Sequence, residues 1–374
     1  MEQCLAVLVP QVGVASETFI RRHVNDLAPG RTVVVTQHPP SSFWTPDGPV
    51  LYLHECALSL SRNLFCRIGR KIGITGKLDR FEAIDFMRSH GVGVFLGECL
   101  DISLPWLNVV SKRGIRFFAH AHGYDVSKML KQREWRARYR AFCRSDGIIV
   151  VSNHIKERLT GLGLLESKIH VIPCGTDVPD TRPLRRTESN TIQCLAVGRM
   201  VGKKAPLATL DAFRTATKAV PQLRLEMVGD GMLLCEAKQY AGSTGLSNKV
   251  RFHGALPNEH VISLMEGSDV FVQHSITDPV TGDEEGLPVA ILESMAHGLP
   301  IVSTRHAGIP EAVVEGVTGF LVDEGDLAGM AERLVTLAGD RDLRLKMGTA
   351  GWRRAKERFS WKREREELLA VLGI

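Results

Sequence analysis

No stretch of the 374-residue chain comes near the ~18–20 consecutive apolar residues that a membrane-spanning helix requires. Met1–Val7 lacks a basic region followed by a long apolar one, so it reads as a buried first strand and not as a signal peptide. The eight cysteines (4, 56, 66, 99, 143, 174, 194 and 235) form no CxxC pair. That removes a disulfide scaffold and a cysteine zinc site, and leaves reduced, mostly buried thiols as expected of a cytosolic protein. Low-complexity tracts and internal repeats are missing. No G-x-G-x-x-G follows a first strand, which excludes a dinucleotide fingerprint, and neither G-x-S-x-G nor H-E-x-x-H occurs to anchor a hydrolase or metalloprotease. Gly69–Lys77 looks like a phosphate loop but fails its spacing, because Leu78 follows Lys77.

What is there is an ordinary globular composition, 44% hydrophobic and 24% charged, over a length that suits two domains. The net charge of +5 is unevenly spread. Residues 1–180 hold 23 Lys/Arg against 17 Asp/Glu, and residues 181–374 hold 24 against 25. A basic half suggests an anionic partner: nucleic acid, membrane surface or phosphorylated substrate. Ordinary solvation explains it as well.

Short apolar runs such as Leu5–Val9, Thr32–Thr36, Val92–Leu96, Arg116–Ala119, Ile192–Val197, Val270–Gln273 and Gly319–Val322 alternate with helical patterns such as Thr18–Leu27, Lys128–Cys143, Ala205–Ala219 and Val289–Ala296. Continuous apolar runs fit strands buried on both faces of a parallel sheet. The pattern is therefore α/β: two doubly wound, Rossmann-like parallel-sheet domains. A polar, proline-containing stretch separates them. The expected boundaries are 1–178 for the first domain, 179–191 for the linker and 192–359 for the second domain, with a last helix, 360–374, packing back on the first. In open α/β sheets ligands bind beyond the carboxyl ends of strands, so the chemistry is expected in the loops there.

In the second half those loops carry a set of charged residues and glycines. Gly286-Leu287-Pro288 opens a helix whose free N–H groups and dipole suit a diphosphate. Glu285 lies at its mouth and Glu293 two turns on, where carboxylates can accept bonds from sugar hydroxyls. Taken alone, such a pair is more often two solvated helix carboxylates. Arg199 and Lys204, five apart after the strand ending at Val197, suit adjacent phosphates. Gly229-Asp230-Gly231 allows close backbone approach, and Phe252-His253-Gly254 and Gly308-Ile309-Pro310-Glu311 follow later strands.

This ordered set resembles glycosyltransferase family 4, retaining nucleotide-sugar enzymes of the GT-B fold, in which the two domains face a central cleft. In the first half His122-Gly123-Tyr124-Asp125, Val151-Ser152-Asn153 and Val171–Asp177 are similar to the family's landmarks. The form Asp283-Glu284-Glu285-Gly286-Leu287-Pro288, with Pro10 and Ser16-Glu17-Thr18-Phe19-Ile20, looks more like the subgroup that builds bacterial exopolysaccharides, including enzymes of the colanic-acid type. The resemblance implies that Glu293 holds the ribose and that Glu285 contacts the transferred sugar. It implies that Gly286, Leu287 and Pro288 line the sugar–phosphate pocket. Arg199 and Lys204 would stabilise the departing diphosphate without a metal or other cofactor, and no D-x-D motif stands at a strand end. His122 would face the cleft near the donor sugar; His120 is its confounder. Gly229, Gly231 and Phe252 complete the donor set, with Gly13 in a first loop that lacks the family's frequent Gly-Gly turn.

The basic first domain would take the acceptor, a glycan or polyprenyl-diphosphate-linked glycan. Two basic amphipathic segments could rest on an anionic membrane: Arg62, Arg67, Arg70, Lys71, Lys77 and Arg80; and Lys128, Lys131, Arg133, Arg136, Arg138, Arg140 and Arg144. Solvated helix faces explain them equally well. The expected location is cytoplasmic, peripheral at the inner face of the plasma membrane, with no nucleic-acid partner. The competing readings are a catalytically silent nucleotide-sugar-binding scaffold, a nucleic-acid-binding protein, and a phosphorylase or epimerase on the same fold.

Overall fold

The structure is a computed structural model that describes residues 3–53, 75–183 and 190–374, with side chains from 80 onward in the helix Thr75–Ser89. Cys56, Cys66, Arg62, Arg67, Arg70, Lys71, the side chain of Lys77 and most of the Gly69–Lys77 stretch lie outside the described residues.

The chain divides into two compact units. Met1–Val150, Ile155–Ile172 and Arg365–Ile374 make the first, and Val151–His154 with Pro173–Glu364 make the second. The first is built on seven described strands: β1 (Cys4–Val9), β2 (Thr32–Thr36), β3 (Val50–Tyr52), β4 (Val92–Glu98), β5 (Arg116–Ala121), β6 (Gly147–Val150) and β7 (Ile169–Val171). They lie in the order β3-β2-β1-β4-β5-β6-β7, every pairing parallel. In the second unit β8 (Ile192–Val197), β9 (Leu223–Val228), β10 (Val250–Gly254), β11 (Val270–Val272), β12 (Ile301–Thr304) and β13 (Gly319–Val322) lie in the order β10-β9-β8-β11-β12-β13, also all parallel.

Parallel pairing needs a crossover between strands, and the intervening helices supply it and cover the sheets. The central strands are accordingly buried from end to end: Leu5–Val9, Val33–Val35 and Phe271 are at most 3% exposed. The second unit packs its own core, in which Leu210, Phe213 and Ala216 of the helix Pro206–Ala219 meet Met330, Leu334 and Leu337 of the helix Leu327–Gly339.

Three local departures from the sequence reading stand out. The segment expected as one helix over Lys128–Cys143 is a 3-10 turn (Met129–Lys131), a helix (Arg133–Tyr139) and a second 3-10 turn (Arg140–Arg144). The break falls at Gln132, whose backbone is extended, and the Arg136 side chain donates to the carbonyl of Leu130 there. The basic residues of this segment are all exposed, while Leu130, Tyr139 and Phe142 are buried beneath them. β4 and β5 run two residues past their expected ends, to Glu98 and Ala121. Of the six described cysteines, Cys99, Cys174 and Cys194 are buried, Cys4 is half-buried, and Cys143 and Cys235 are exposed.

Candidate active site

Each sheet reverses its strand order once beside its first strand, between β1 and β4 in one unit and between β8 and β11 in the other. Loops leaving two such strands part in opposite directions and open a crevice at the carboxyl edge. A cluster of buried ionisable side chains lies at each of these places.

In the second unit, β8 leads into Gly198-Arg199, the 3-10 turn Gly202–Lys204 and the helix Pro206–Ala219. The two adjacent lysines take different partners. Lys203 Nζ donates to Asp283 Oδ1 at 3.1 Å and to the carbonyl of Glu284 at 3.0 Å. Lys204 Nζ lies 3.2 Å from Glu285 Oε1, with the two side chains only 14% and 9% exposed. Arg199 is exposed.

The loop carrying Glu285 is tied at three successive residues. Lys203 holds the Glu284 carbonyl. The Glu285 N–H donates to His306 Nε2 at 3.2 Å, and the Gly308 N–H donates to the Gly286 carbonyl at 3.1 Å. Because His306 Nε2 accepts, its proton resides on Nδ1, which faces Glu324 Oε1 at 2.6 Å. A Cβ on Gly308 would stand 2.3 Å from the Gly286 oxygen, so only glycine fits there. Burial raises the Glu285 carboxyl, but the Lys204 ammonium and then Lys203 outweigh it and hold the group below its ordinary value. Burial lowers Lys204, against the pull of Glu285.

Gly286, Leu287 and Pro288 are buried, and Pro288 caps the helix Val289–Ala296, on which Glu293 is buried too. A small, open pocket adjoins the lysine turn, lined among others by Gly198, Arg199, Lys204, Thr209 and Gln273. Gln273 Nε2 donates to Ser275 Oγ at 2.6 Å, and its buried Oε1 has no hydrogen-bond partner among the described residues. Gly229 and Gly231, at φ +132° and +149°, do permit close approach, but the approach is internal. A Cβ on Gly229 would stand 2.0 Å from the Gly198 oxygen, and one on Gly231 2.6 Å from the Met200 oxygen. The two glycines therefore let the loop after β9 dock on the loop that carries Arg199. Phe252 is partly buried and packs against the core of this unit. The Glu311 carboxylate is engaged within this unit, accepting from the N–H and Nδ2 of Asn153 at 2.9 Å each and from the N–H of His154 at 3.0 Å.

In the first unit the focus is Glu98, the last residue of β4, fully buried. Its Oε1 lies 2.7 Å from His23 Nδ1 and its Oε2 2.6 Å from His122 Nε2. His120 Nδ1 is 3.4 Å from Oε2, outside good hydrogen-bond geometry, and neither of its buried ring nitrogens makes a hydrogen bond among the described residues. The His120 ring lies against those of His23 and His122, at 5.3 and 4.1 Å between centroids, and Phe19 lies 4.4 Å from His122. Burial would raise Glu98, yet His23 and the hydrogen bond from His122 outweigh it, and its carboxyl sits well below the usual range. Burial drives His120 down to about 3, so it is neutral. His122 is the member that reaches solvent, with 12% of its side chain exposed. Asp125 fixes its backbone: Oδ1 accepts from the N–H of His122 at 3.1 Å and of Gly123 at 2.9 Å, and Oδ2 from Leu100 N–H at 2.9 Å. Gly13 (φ +81°) allows the loop after β1 to meet Ser41, whose oxygen would be 2.1 Å from a Cβ.

His23, Glu98 and His120 bring potential metal ligands within 4.8 Å of one another. Glu98 is already bonded to His23, so a metal would have to replace that proton-mediated contact. Glu98, His23, Lys203 and His306 were not singled out from sequence. Glu98 stands two residues beyond the apolar run Val92–Leu96 and closes the strand, so a search of strand ends as well as the loops after them would have reached it.

Residues 179–354 match the family model described as glycosyl transferases group 1, and residues 99–179 match glycosyltransferase family 4. The amylovoran biosynthesis glycosyltransferase AmsK of Erwinia amylovora is 30% identical over 226 residues, 59% of this chain and 55% of that protein. The chain thus spans about half the length of this curated relative. A GDP-mannose-dependent alpha-(1-6)-phosphatidylinositol monomannoside mannosyltransferase of Mycolicibacterium smegmatis is 27% identical over 269 residues, 69% of this chain and 70% of that one. Among solved structures, Anabaena HepE in complex with UDP superposes with a TM-score of 0.77 at 16% identity, covering 100% of both chains, a likeness of fold. On the two adjoining family matches, which together take in residues 99–354, the chain belongs to the family 4 glycosyltransferases, with the paired parallel sheets of the GT-B fold.

Proposed function

We propose that the chain is a retaining glycosyltransferase that moves a hexose-type sugar from a nucleotide-diphosphate sugar to a hydroxyl of a glycan or polyprenyl-diphosphate-linked acceptor in polysaccharide synthesis. The observation that carries this reading is the Lys204–Glu285 pair, nearly closed off from water at the switch point of the second sheet, beside an exposed Arg199. A cation there would shift from Glu285 to the diphosphate as negative charge grows on the leaving group, and Glu285 would take a sugar hydroxyl in exchange. The sugar C1–O bond to the diphosphate breaks and a C1–O bond to the acceptor forms on the same face. The proton of the acceptor hydroxyl passes to the departing phosphate oxygen. Lys204 and Arg199 supply the positive charge, so no metal is needed. Glu293 holds the ribose, Gly286–Pro288 line the sugar–phosphate pocket, and His122 reads a substrate hydroxyl. The printed names of the relatives support the class: one acts in amylovoran biosynthesis, another depends on GDP-mannose, and a neighbour of the same fold was solved with UDP.

The test is a thermal-shift screen against UDP, GDP, ADP and their sugars, followed by NMR of the product formed with the stabilising donor. A product keeping the donor's anomeric configuration, formed in the presence of EDTA and lost in Glu285→Gln, is the expected outcome. Donor binding with no transfer to any glycan or lipid-linked acceptor would favour the silent scaffold instead. An inverted product would remove the retaining assignment.

A further inference from the structure

We propose that Glu98 is a positioning residue: clamped by His23, it fixes the tautomer of His122 so that His122 meets a substrate hydroxyl with a bare, accepting Nδ1. The inference rests on the reading of His122 as a substrate contact. It is carried by the geometry of the cluster.

An ionised carboxylate offers acceptors only. Each imidazole nitrogen facing Glu98 therefore carries a proton: Nδ1 of His23 at 2.7 Å and Nε2 of His122 at 2.6 Å. Both short contacts are those of charge-assisted bonds, and both carboxylate oxygens are engaged. A neutral His122 with its proton on Nε2 has no proton on Nδ1. That nitrogen makes no hydrogen bond among the described residues, and its side chain is the part of the cluster open to solvent. Ring and backbone are both held. Phe19 and His120 lie against the imidazole, and Asp125 accepts the His122 N–H. His120, whose two buried nitrogens make no hydrogen bond among the described residues, contributes shape. The result is a carboxylate–imidazole dyad whose exposed end is an acceptor and whose buried end cannot turn, the arrangement by which an orienting carboxylate selects a histidine tautomer.

The test reads the tautomer directly, without substrate. In protein labelled with 15N-histidine, long-range proton–nitrogen correlation should find His122 as the Nε2–H form. In Glu98→Gln the amide offers His122 an N–H as well as an oxygen, so the Nδ1–H form should grow in. Turnover with the donor found by screening should fall about 10- to 100-fold, the usual effect of losing an orienting partner. Adding His122→Ala to Glu98→Gln should cost nothing beyond His122→Ala alone. If Glu98→Gln does not fold, His122→Gln serves. Its amide can still donate to Glu98 where Nε2 did, but it has no acceptor in the place of Nδ1, so it should fold normally and be as slow as His122→Ala. An unchanged His122 tautomer in Glu98→Gln, additive losses in the double variant, or wild-type turnover in His122→Gln would each overturn the proposal. If no donor or acceptor is ever turned over, the proposed function fails while the tautomer measurement still stands or falls by itself.

Discussion

Removing either member of the Lys204–Glu285 pair leaves its partner as an uncompensated charge in a nearly closed place. Breaking buried pairs one-sidedly costs about 3–5 kcal/mol. With the small exposure seen here, Lys204→Ala should cost toward the lower end, read as a drop in the denaturation midpoint. Lys204→Met with Glu285→Gln should recover most of the stability and none of the transfer; a double variant no more stable than Lys204→Ala would show that the pair is not coupled.

Acid should act on the first unit before the carboxylates titrate. The folded pKa of His120 is about 3 against an ordinary 6.5, so its neutral form favours the fold fully above pH 6.5, and that advantage is lost as pH falls from there toward 3. Glu98 lies below its ordinary value, so its contribution is complete above the carboxylate range and fades only at lower pH. His120→Phe should flatten the pH dependence of the melting temperature just below pH 6.5; an unchanged slope would assign the effect elsewhere. Arg199, Lys204 and Glu285 stand in loops that follow strands, where sequence alone directs the search. Glu98 and His23 were not legible as a pair, because they are 75 residues apart, one closing a strand and the other inside a helix, and only folding makes them partners.

At the scale of elements, the strands were readable from their apolar continuity, but their order in each sheet is set by packing that no local run encodes. The failure over Lys128–Cys143 has a local cause. Its apolar residues keep facing inward through a break that periodicity does not register, since Gln132 is neither Gly nor Pro. The loops after β8 and β9 fit together because Gly229 has no side chain. Gly229→Ala should cost on the order of 3 kcal/mol, combining an unfavourable φ with a backbone that must retreat. It should weaken nucleotide binding through the displaced Arg199 loop, measured by calorimetry beside chemical denaturation. Wild-type stability would mean that the two loops separate freely.

For the molecule as a whole, the presence of two α/β units was legible in the two successive βα patterns. The charge asymmetry acquires a location in the exposed basic residues of 128–144. Reversing Arg133, Arg138 and Arg144 to Glu should abolish co-sedimentation with anionic vesicles at low salt and leave nucleotide binding unchanged. Vesicle binding that survives the reversal, or that is absent in the wild type, would assign this face to ordinary solvation.

The last helix, Trp361–Leu372, begins in the second unit and ends in the first. Leu368 and Leu372 are fully buried, and Arg365 Nε donates to the carbonyls of Asp26 and Leu27, at 2.9 and 3.1 Å. This return sets an order of events during synthesis. The second unit, nearly unbroken from Pro173 to Glu364, can complete its core as soon as that segment has been made. The first unit, whose other segments precede most of the second, cannot bury Leu368 and Leu372 until Arg365–Ile374 has also been made.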